Sequence, residues 1–580
     1  MKWLIIPLLF VVFSMTVMAQ EGHMVLLAAR ETADGGYAGS TADLFLEIQP
    51  GKGRVFLETF PLTKVDTQIA TRSAKEIACN TLDLDCSEFD FIFTIKAKSS
   101  IIGGPSAGAA TALLTTSLLT GITLNEDVAI TGTINSYGLI GPVGGLQPKI
   151  KAAAEYGITK VLVPQRFVKE DINSTEIIDL VEFGKELGVE VIEVSDINHA
   201  MFHLSGEYIS DTEQTIEIEG SYLDTMKFLA DDLCQRSQKL LNDTVDFKGD
   251  VREEAYNLTF RGLEAYKNQD YYSSASFCFG SNVKYLTVLF QNKIPRPKEY
   301  YDMIKHIQQS LKELDSEIEE REIKTLTDLE SYMAVKERVS ETNNFLNNSK
   351  EAETDEERYY NLAYANERLY SAFSWFEFFD HRGRKFNMNP TILRDSCQRI
   401  LLEVEERAQY LQIYFPDHEI DISKDFTDAY EDLEEQRYAL CLFKASKAKA
   451  EINVPLNSLG VTEEGLDEHV QRKLNIAKTN IAMQSSKGIF PILGFSYYEY
   501  ATNLAETDKF SSLLYSEYAL ELSNLDVYFQ ERERAPLFLD VDLATSAAFL
   551  VVFLIGLSAG YLIYAIKNPS RPRRLLGKKR

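Results

Sequence analysis

The pattern of apolar and polar positions changes character near residue 205. Before that point, short apolar runs typical of strands alternate with segments whose apolar residues recur every three or four positions. The runs predict strands at 25–28, 44–49, 54–58, 89–95, 128–133, 160–163 and 189–194, and the spaced segments predict helices at 67–81, 106–120, 148–156 and 196–202. This alternation predicts an α+β or α/β domain over residues 20–204.

A polar, acidic stretch at 205–221 predicts a linker, and the pattern after it is helical. Apolar residues at three- and four-residue spacing predict helices at 224–241, 252–268, 272–290, 297–344, 356–379, 392–414, 427–449, 466–484, 496–506 and 510–524. An all-α domain is therefore expected over residues 222–535. Tyr266, Asp270, Tyr272, Ala275 and Phe279 fall near the tetratricopeptide pattern, but the match is degenerate, so repeat-like stacking stays an open alternative.

Both ends of the chain carry targeting patterns. Residues 1–19 contain one charged side chain, that of Lys2, and an apolar stretch that ends in Val17-Met18-Ala19. This pattern predicts a signal peptide, and an uncleaved N-terminal anchor is the alternative. Residues 543–566 contain no charged side chain and are long enough for a transmembrane helix. The tail at 567–580 carries only basic charges, so the C-terminus is expected in the cytoplasm and the bulk of this single-pass protein outside the cell membrane.

Charge and cysteine content fit an exported protein. The formal net charge is −27, and this acidity argues against nucleic acid as a partner. The six cysteines form an even set in an oxidising setting, with spacings that favour the pairs Cys79–Cys86, Cys234–Cys278 and Cys397–Cys441. Two helical hairpins, each clipped once, would explain the last two pairs. Six cysteines allow about 15 pairings, and partly buried free thiols are the alternative.

The candidate nucleophile is Ser106, in the run Gly103-Gly104-Pro105-Ser106-Ala107-Gly108. The run resembles a turn that opens a helix, where proline is favoured and glycine allows a substrate to approach closely. Backbone N–H groups there, with Gly104 and Ala107 as supporting residues, are placed to hold a developing oxyanion. The alternative is an ordinary turn with an N-terminal serine.

The candidate general base is Lys149, which follows Gly144-Gly145-Leu146-Gln147-Pro148. A lysine serves as a base when burial disfavours its ammonium form. Lys149 lies in a predicted helix that Gly157 closes, and Lys151 in that helix faces a different side.

Several ordered motifs together resemble the proteolytic domain of the Lon protease family. They are Pro50-Gly51-Lys52-Gly53, Gly104-Pro105-Ser106-Ala107-Gly108, Ile130-Thr131-Gly132-Thr133-Ile134, Gly141-Pro142-Val143-Gly144-Gly145-Leu146-Gln147-Pro148-Lys149 and Lys160-Val161-Leu162-Val163-Pro164. The resemblance implies that Ser106 is the nucleophile, Lys149 its base and Thr131 a partner that orients the lysine. Thr131 is alternatively a buried strand residue that satisfies a backbone carbonyl.

The resemblance also points to one branch of the family. ATP-dependent members usually carry an acidic residue just before the Gly-Pro-Ser-Ala-Gly core, whereas this chain has Gly103, as in the ATP-independent, membrane-associated, archaeal-type branch. The sequence holds no Gly-x-x-x-x-Gly-Lys-Ser/Thr phosphate loop, so no nucleotide is expected. No CxxC pair suggests zinc, and no metal or other cofactor is expected. A homo-oligomeric ring is implied by the resemblance alone.

Two functions compete on this basis. The leading hypothesis is a membrane-anchored, outward-facing, ATP-independent serine endopeptidase that uses a Ser106-Lys149 dyad on unfolded or flexible polypeptides. The second is a catalytically inactive surface scaffold whose helical domain recruits partners. Intramembrane proteolysis is disfavoured because neither candidate catalytic residue lies in an apolar span.

Overall fold

A computed structural model describes most of the 580-residue chain. The described residues are 20–31, 37–63, 65–82, 84–102, 105–134, 138–141, 143–164, 179–209, 215–293, 296–379, 383–386, 388–414, 424–458, 461, 463, 465–529 and 543–567. The predicted signal peptide and nearly all of the predicted basic tail lie outside them. Residues 21–534 form one compact unit.

The first part of this unit mixes strands and helices. Its elements are β1 (Gln20–Glu31), β2 (Tyr37–Pro50), β3 (Val55–Thr63), α1 (Val65–Thr81), β4 (Phe89–Ile102), α2 (Gly108–Thr120), β5 (Val128–Ile130), β6 (Thr133–Ile134), β7 (Ile140–Gly141), α3 (Leu146–Tyr156), β8 (Lys160–Pro164), α4 (Leu180–Glu186), β9 (Glu190–Val194) and α5 (Ile197–Ser205). Seven strands form a mixed sheet in the order β3-β4-β2-β1-β5-β8-β9, and β6 and β7 pair separately. The expected mixed fold is confirmed.

Strand alternation buries one face of the central sheet. Leu46 lies opposite Phe93, and Ile48 lies opposite Phe91, in the antiparallel β2–β4 pair, and all four side chains are buried. Helix α2 is buried on nearly every side, so its threonines need internal partners. The Thr115 hydroxyl, for example, donates to the Thr111 carbonyl oxygen at 2.7 Å. A buried helix beside a buried sheet face provides a rigid base for the residues that precede α2.

The second part is helical. It contains α6 (Gly220–Asp243), α7 (Asp250–Asn268), α8 (Tyr271–Asn292), α9 (Pro297–Glu319), α10 (Leu326–Glu351), α11 (Asp355–Phe376), α12 (Pro390–Tyr414), α13 (Lys424–Glu434), α14 (Tyr438–Asn457), α15 (Leu466–Ser486), α16 (Ile492–Leu504) and α17 (Lys509–Ser523). The expected all-helical region is confirmed. Helix α6 begins at Gly220, within the segment predicted as a linker, and the tetratricopeptide-like stacking stays a prediction.

Two of the predicted helices are wrong, because the structure divides each of these spans into two separate helices. The predicted helix at 297–344 divides into α9 and α10, since Thr325 caps α10 by accepting the Asp328 N–H, while Asp328 accepts the Thr325 N–H. The predicted helix at 427–449 divides into α13 and α14 at Gln436, which has a left-handed φ of 62°. Neither break contains the glycine or proline that usually signals one in a sequence.

The cysteine pairing proposed from spacing is confirmed. The structure joins Cys79 to Cys86, Cys234 to Cys278 and Cys397 to Cys441, with Cα–Cα distances of 6.2, 5.1 and 5.8 Å. The idea of two clipped hairpins is wrong, because the second bridge joins α6 to α8 and the third joins α12 to α14, each skipping one helix. A bridge that closes a 44-residue loop stabilises the fold by about 4 kcal/mol in the chain-entropy account.

Buried ion pairs link the later helices. Lys449 of α14 contacts Glu403 of α12 at 2.8 Å and Glu521 of α17 at 3.0 Å. Burial acts to lower the pKa of Lys449, but the two carboxylates raise it above its ordinary range. Lys473 of α15 and Glu517 of α17 form a second pair, and both side chains are 1% exposed. Removing one member would leave a buried charge unpaired, so these pairs select one packing of the helices.

Helix α18 (Leu543–Lys567) belongs to a second unit, which comprises residues 1–20 and 535–580. It covers the segment predicted to cross a membrane. The structure describes the side chains of this helix only in part, from Leu554 onward. Within the described part of the chain, no helix combines the length and apolarity needed to cross a membrane.

We expect the folded protein to lose stability between about pH 4.5 and pH 8 through Glu330. Its carboxylate is buried in α10 and accepts the Leu493 N–H at the start of α16 at 2.7 Å. Burial raises its pKa from 4.5 to about 8, so in that pH window the folded state keeps a proton that the unfolded state has released. Stability therefore falls as the pH rises, and Glu330→Gln should remove this fall.

Thermal unfolding of wild type and variant across pH 4 to 9 measures this difference. The exposed Glu313→Gln on α9 is the matched control. Parallel melting-temperature profiles for wild type and Glu330→Gln would contradict the prediction.

Candidate active site

Ser106 lies at the point where β4 leads into α2. Pro105–Ala107 form a single 3₁₀ turn, and α2 begins only at Gly108, so the predicted helix start at Ser106 is two residues early. Ser106 is half-buried. Ala107 occupies the position before α2, and no side chain caps the helix there. Gly103 and Gly104 lie outside the described residues, so the oxyanion roles of Gly104 and Ala107 stay predictions.

The end of β5 is joined to this turn by backbone hydrogen bonds. The Gly132 N–H donates to the Ser106 carbonyl oxygen at 3.0 Å, and the Ala109 N–H donates to the Gly132 carbonyl oxygen at 3.1 Å. A Cβ atom at Gly132 would lie 2.5 Å from Ile140 Cγ2, closer than side chains pack. Glycine is therefore needed where the two segments meet. The predicted strand at 128–133 ends at Ile130, because the following residues bond to the Ser106 turn and to β8.

Lys149 enters the same region from α3. The helix starts after Gly145, which has a left-handed φ of 67°. Lys149 is buried, with 3% of its surface exposed, and Thr131 is fully buried. The Lys149 Nζ donates to Thr131 Oγ1 at 3.2 Å. Lys151 is exposed, so the expectation that only one of these two lysines faces inward is confirmed.

The structure therefore brings together Ser106, Thr131 and Lys149, which are far apart in sequence. Thr131 contacts Lys149 through its side chain, and the next residue, Gly132, contacts Ser106 through its backbone. Serine is a weak nucleophile at neutral pH unless a base activates it. The direct Ser106–Lys149 pairing stays a prediction.

Sequence reasoning missed two supports of this site. Gly132 belongs to the motif Ile130-Thr131-Gly132-Thr133-Ile134, but nothing in the sequence indicates that its backbone bonds to the Ser106 turn. The β6–β7 hairpin was also missed, because both strands are only two residues long. Leu139, just before β7, bridges to Asp196, which caps α5 by accepting the His199 N–H at 2.9 Å.

Residues 94–202 match the family described as the Lon protease (S16) C-terminal proteolytic domain. The N-terminal region of this chain is similar to a Lon proteolytic domain. The Lon protease of Azorhizobium caulinodans is 32% identical over 177 residues, covering 29% of this chain and 20% of that protein. The Lon protease of Paraburkholderia phytofirmans is 38% identical over 130 residues, covering 21% of this chain and 16% of that protein.

The matched segment contains Ser106, Thr131 and Lys149. This chain spans about a fifth of the length of these curated relatives. The similarity supports an enzyme of the serine peptidase class.

We expect Thr131→Val to slow the reaction of Ser106 with a fluorophosphonate serine probe by about tenfold to a hundredfold. The variant keeps the side-chain shape but removes the hydroxyl that holds Lys149 Nζ, and such a bond is worth about 1 to 3 kcal/mol. Thr131→Ser should restore most of the labelling rate.

Thr115→Val is the matched control, because Thr115 is also fully buried and its hydroxyl donates within α2. Equal labelling rates for Thr131→Val and wild type would remove Thr131 from the site.

Proposed function

We propose that this chain is an ATP-independent serine endopeptidase in which Ser106 is the nucleophile and Lys149 the general base. The buried Lys149 amine beside Thr131, at 3.2 Å, carries the proposal. Lysine is almost never fully buried unless it is paired. The Thr131 hydroxyl accepts a hydrogen bond from the Lys149 amine and thereby helps to orient it.

The proposed reaction follows from this arrangement. Lys149 accepts the proton of the Ser106 hydroxyl as Ser106 Oγ attacks the peptide carbonyl carbon. Backbone N–H groups of the turn that begins α2, with Ala107 and Gly104 as proposed donors, receive the negative oxygen of the tetrahedral intermediate. Lys149 then gives its proton to the departing amine as the peptide C–N bond breaks. In the second half, Lys149 accepts a proton from the water that attacks the acyl carbon and returns it to Ser106 Oγ as the ester bond breaks. Each step uses one base that receives and returns a single proton.

The proposed substrates are unfolded or flexible polypeptides. The sequence holds no Gly-x-x-x-x-Gly-Lys-Ser/Thr motif, so nothing in these 580 residues indicates a motor that would unfold a stable protein. The described relatives carry the name protease and extend well beyond the matched segment. A substrate that already lacks structure needs no unfolding step.

Cleavage of unfolded casein without ATP, followed by mass spectrometry, tests the proposal. We expect wild type to cleave, and Ser106→Ala and Lys149→Met to lose cleavage by more than about a thousandfold, as removal of a nucleophile or its base does in serine peptidases. Lys151→Met is the matched control, because Lys151 lies in the same helix but is exposed. Its activity should stay near that of wild type.

Unchanged cleavage in Ser106→Ala would overturn the assignment of the nucleophile. Specific binding of polypeptides with no hydrolysis by the wild type would instead favour the second function, a scaffold whose helical region recruits partners.

We also propose that the protein is anchored in the cell membrane by residues 543–566, with the bulk of the chain outside and the C-terminus in the cytoplasm. The support is the sequence: 24 residues without a charge, followed by an exclusively basic tail. The three disulfides fit an oxidising compartment.

We expect the full chain to stay in the membrane pellet after an alkaline carbonate wash, because its apolar segment is integrated into the bilayer. A chain ending at Asp542 should move to the soluble fraction. Release of the full chain by carbonate would contradict the anchor.

A further inference from the structure

Two histidines lie one turn apart on α5, outside the site described above. His199 and His203 are four residues apart, the spacing that places two side chains on one face of a helix. Their Nε2 atoms are 3.1 Å apart, and their ring centroids are 4.9 Å apart with the planes inclined by 53°. The Nε2 atom of each ring therefore faces the Nε2 atom of the other.

This separation fits two ligands of one metal ion. Imidazole nitrogens bind Zn²⁺ at about 2.0 to 2.1 Å, so two of them at an angle between 90° and the tetrahedral value lie about 2.9 to 3.4 Å apart. The observed 3.1 Å falls within this interval. A hydrogen bond between two neutral rings has a similar length and is the competing interpretation of this contact.

The helix holds both rings in place. Asp196 caps its start by accepting the His199 N–H at 2.9 Å, and Gly206, with a left-handed φ of 83°, ends it. Phe202 contacts the His203 ring edge-on at 5.5 Å between centroids. A nine-residue helix fixed at both ends limits how far the two side chains can separate.

We propose that His199 and His203 form a binding site for a divalent late transition metal such as Zn²⁺. The described residues contain no group of three or more histidine, cysteine, aspartate or glutamate side chains placed to hold a metal ion. In the proposed site, water would occupy the coordination positions that the two histidines leave open. The ion would join two turns of α5. This site is separate from the proposed peptidase chemistry and does not depend on it.

Isothermal titration of the metal-free full chain with Zn²⁺, in a buffer that does not chelate zinc, tests the proposal. We expect saturable binding that His199→Gln and His203→Gln each weaken by more than about tenfold, since even an outer partner of a metal ligand contributes on the order of ten- to a hundredfold. His306→Gln on α9 is the matched control, because His306 is exposed and lies on another helix.

X-ray absorption at the zinc edge provides a second measurement on the wild type that needs no variant. Two imidazole nitrogens at about 2.0 to 2.1 Å are expected. Absence of saturable Zn²⁺ binding to the wild type would show that the pair is a hydrogen bond only and would overturn the proposal. Zn²⁺ affinity unchanged from wild type in both His199→Gln and His203→Gln would also overturn it.

Discussion

The arrangement of the candidate site depends on two backbone hydrogen bonds at Gly132. They join the end of β5 to the turn that carries Ser106 and to the first turn of α2. Backbone groups cannot be buried without partners, so each segment satisfies the polar groups that the other exposes. A Cβ atom at position 132 would lie 2.5 Å from Ile140 Cγ2, so any larger residue there would force Ile140 to move. The position of Ser106 relative to the sheet is thereby set by the backbone, before any side chain contributes.

The second constraint is the burial of the Lys149 amine between α3 and β5. Taking an amine out of water costs free energy, and the hydrogen bond to Thr131 returns part of it. The cost is met by the apolar packing of α3, whose Ile150 and Ala153 are fully buried in the same core as Val161 of β8. The apolar core around α3 thus supports a buried polar contact between Lys149 and Thr131.

The sequence revealed those features whose physical cause is local. Alternation in β2 and β4 follows from one buried face, and the separate sides of Lys149 and Lys151 follow from helix geometry, so both were predictable. The contact between Lys149 and Thr131 was expected only from family resemblance, because it depends on how α3 lies across the end of β5. The break between α9 and α10 was missed because a reciprocal cap by Thr325 and Asp328 replaces the usual glycine or proline. The route of the two long disulfides across an intervening helix depends on tertiary packing in the same way.

A charged residue of the helical region, Arg472, interacts with carboxylates of the N-terminal domain. Burial lowers the pKa of Arg472 on α15, while the nearby carboxylates of Glu468, Glu193 and Asp196 oppose this fall. Glu193 belongs to β9 and Asp196 caps α5, so both lie close enough to Arg472 to interact with its charge. Asp196 also bridges to Leu139 of the hairpin that follows Thr131. The buried Lys473–Glu517 pair joins α15 to α17, so the helix that carries Arg472 is itself tied into the helical core. The helical region and the peptidase-like region therefore meet electrostatically at the segment between β9 and α5.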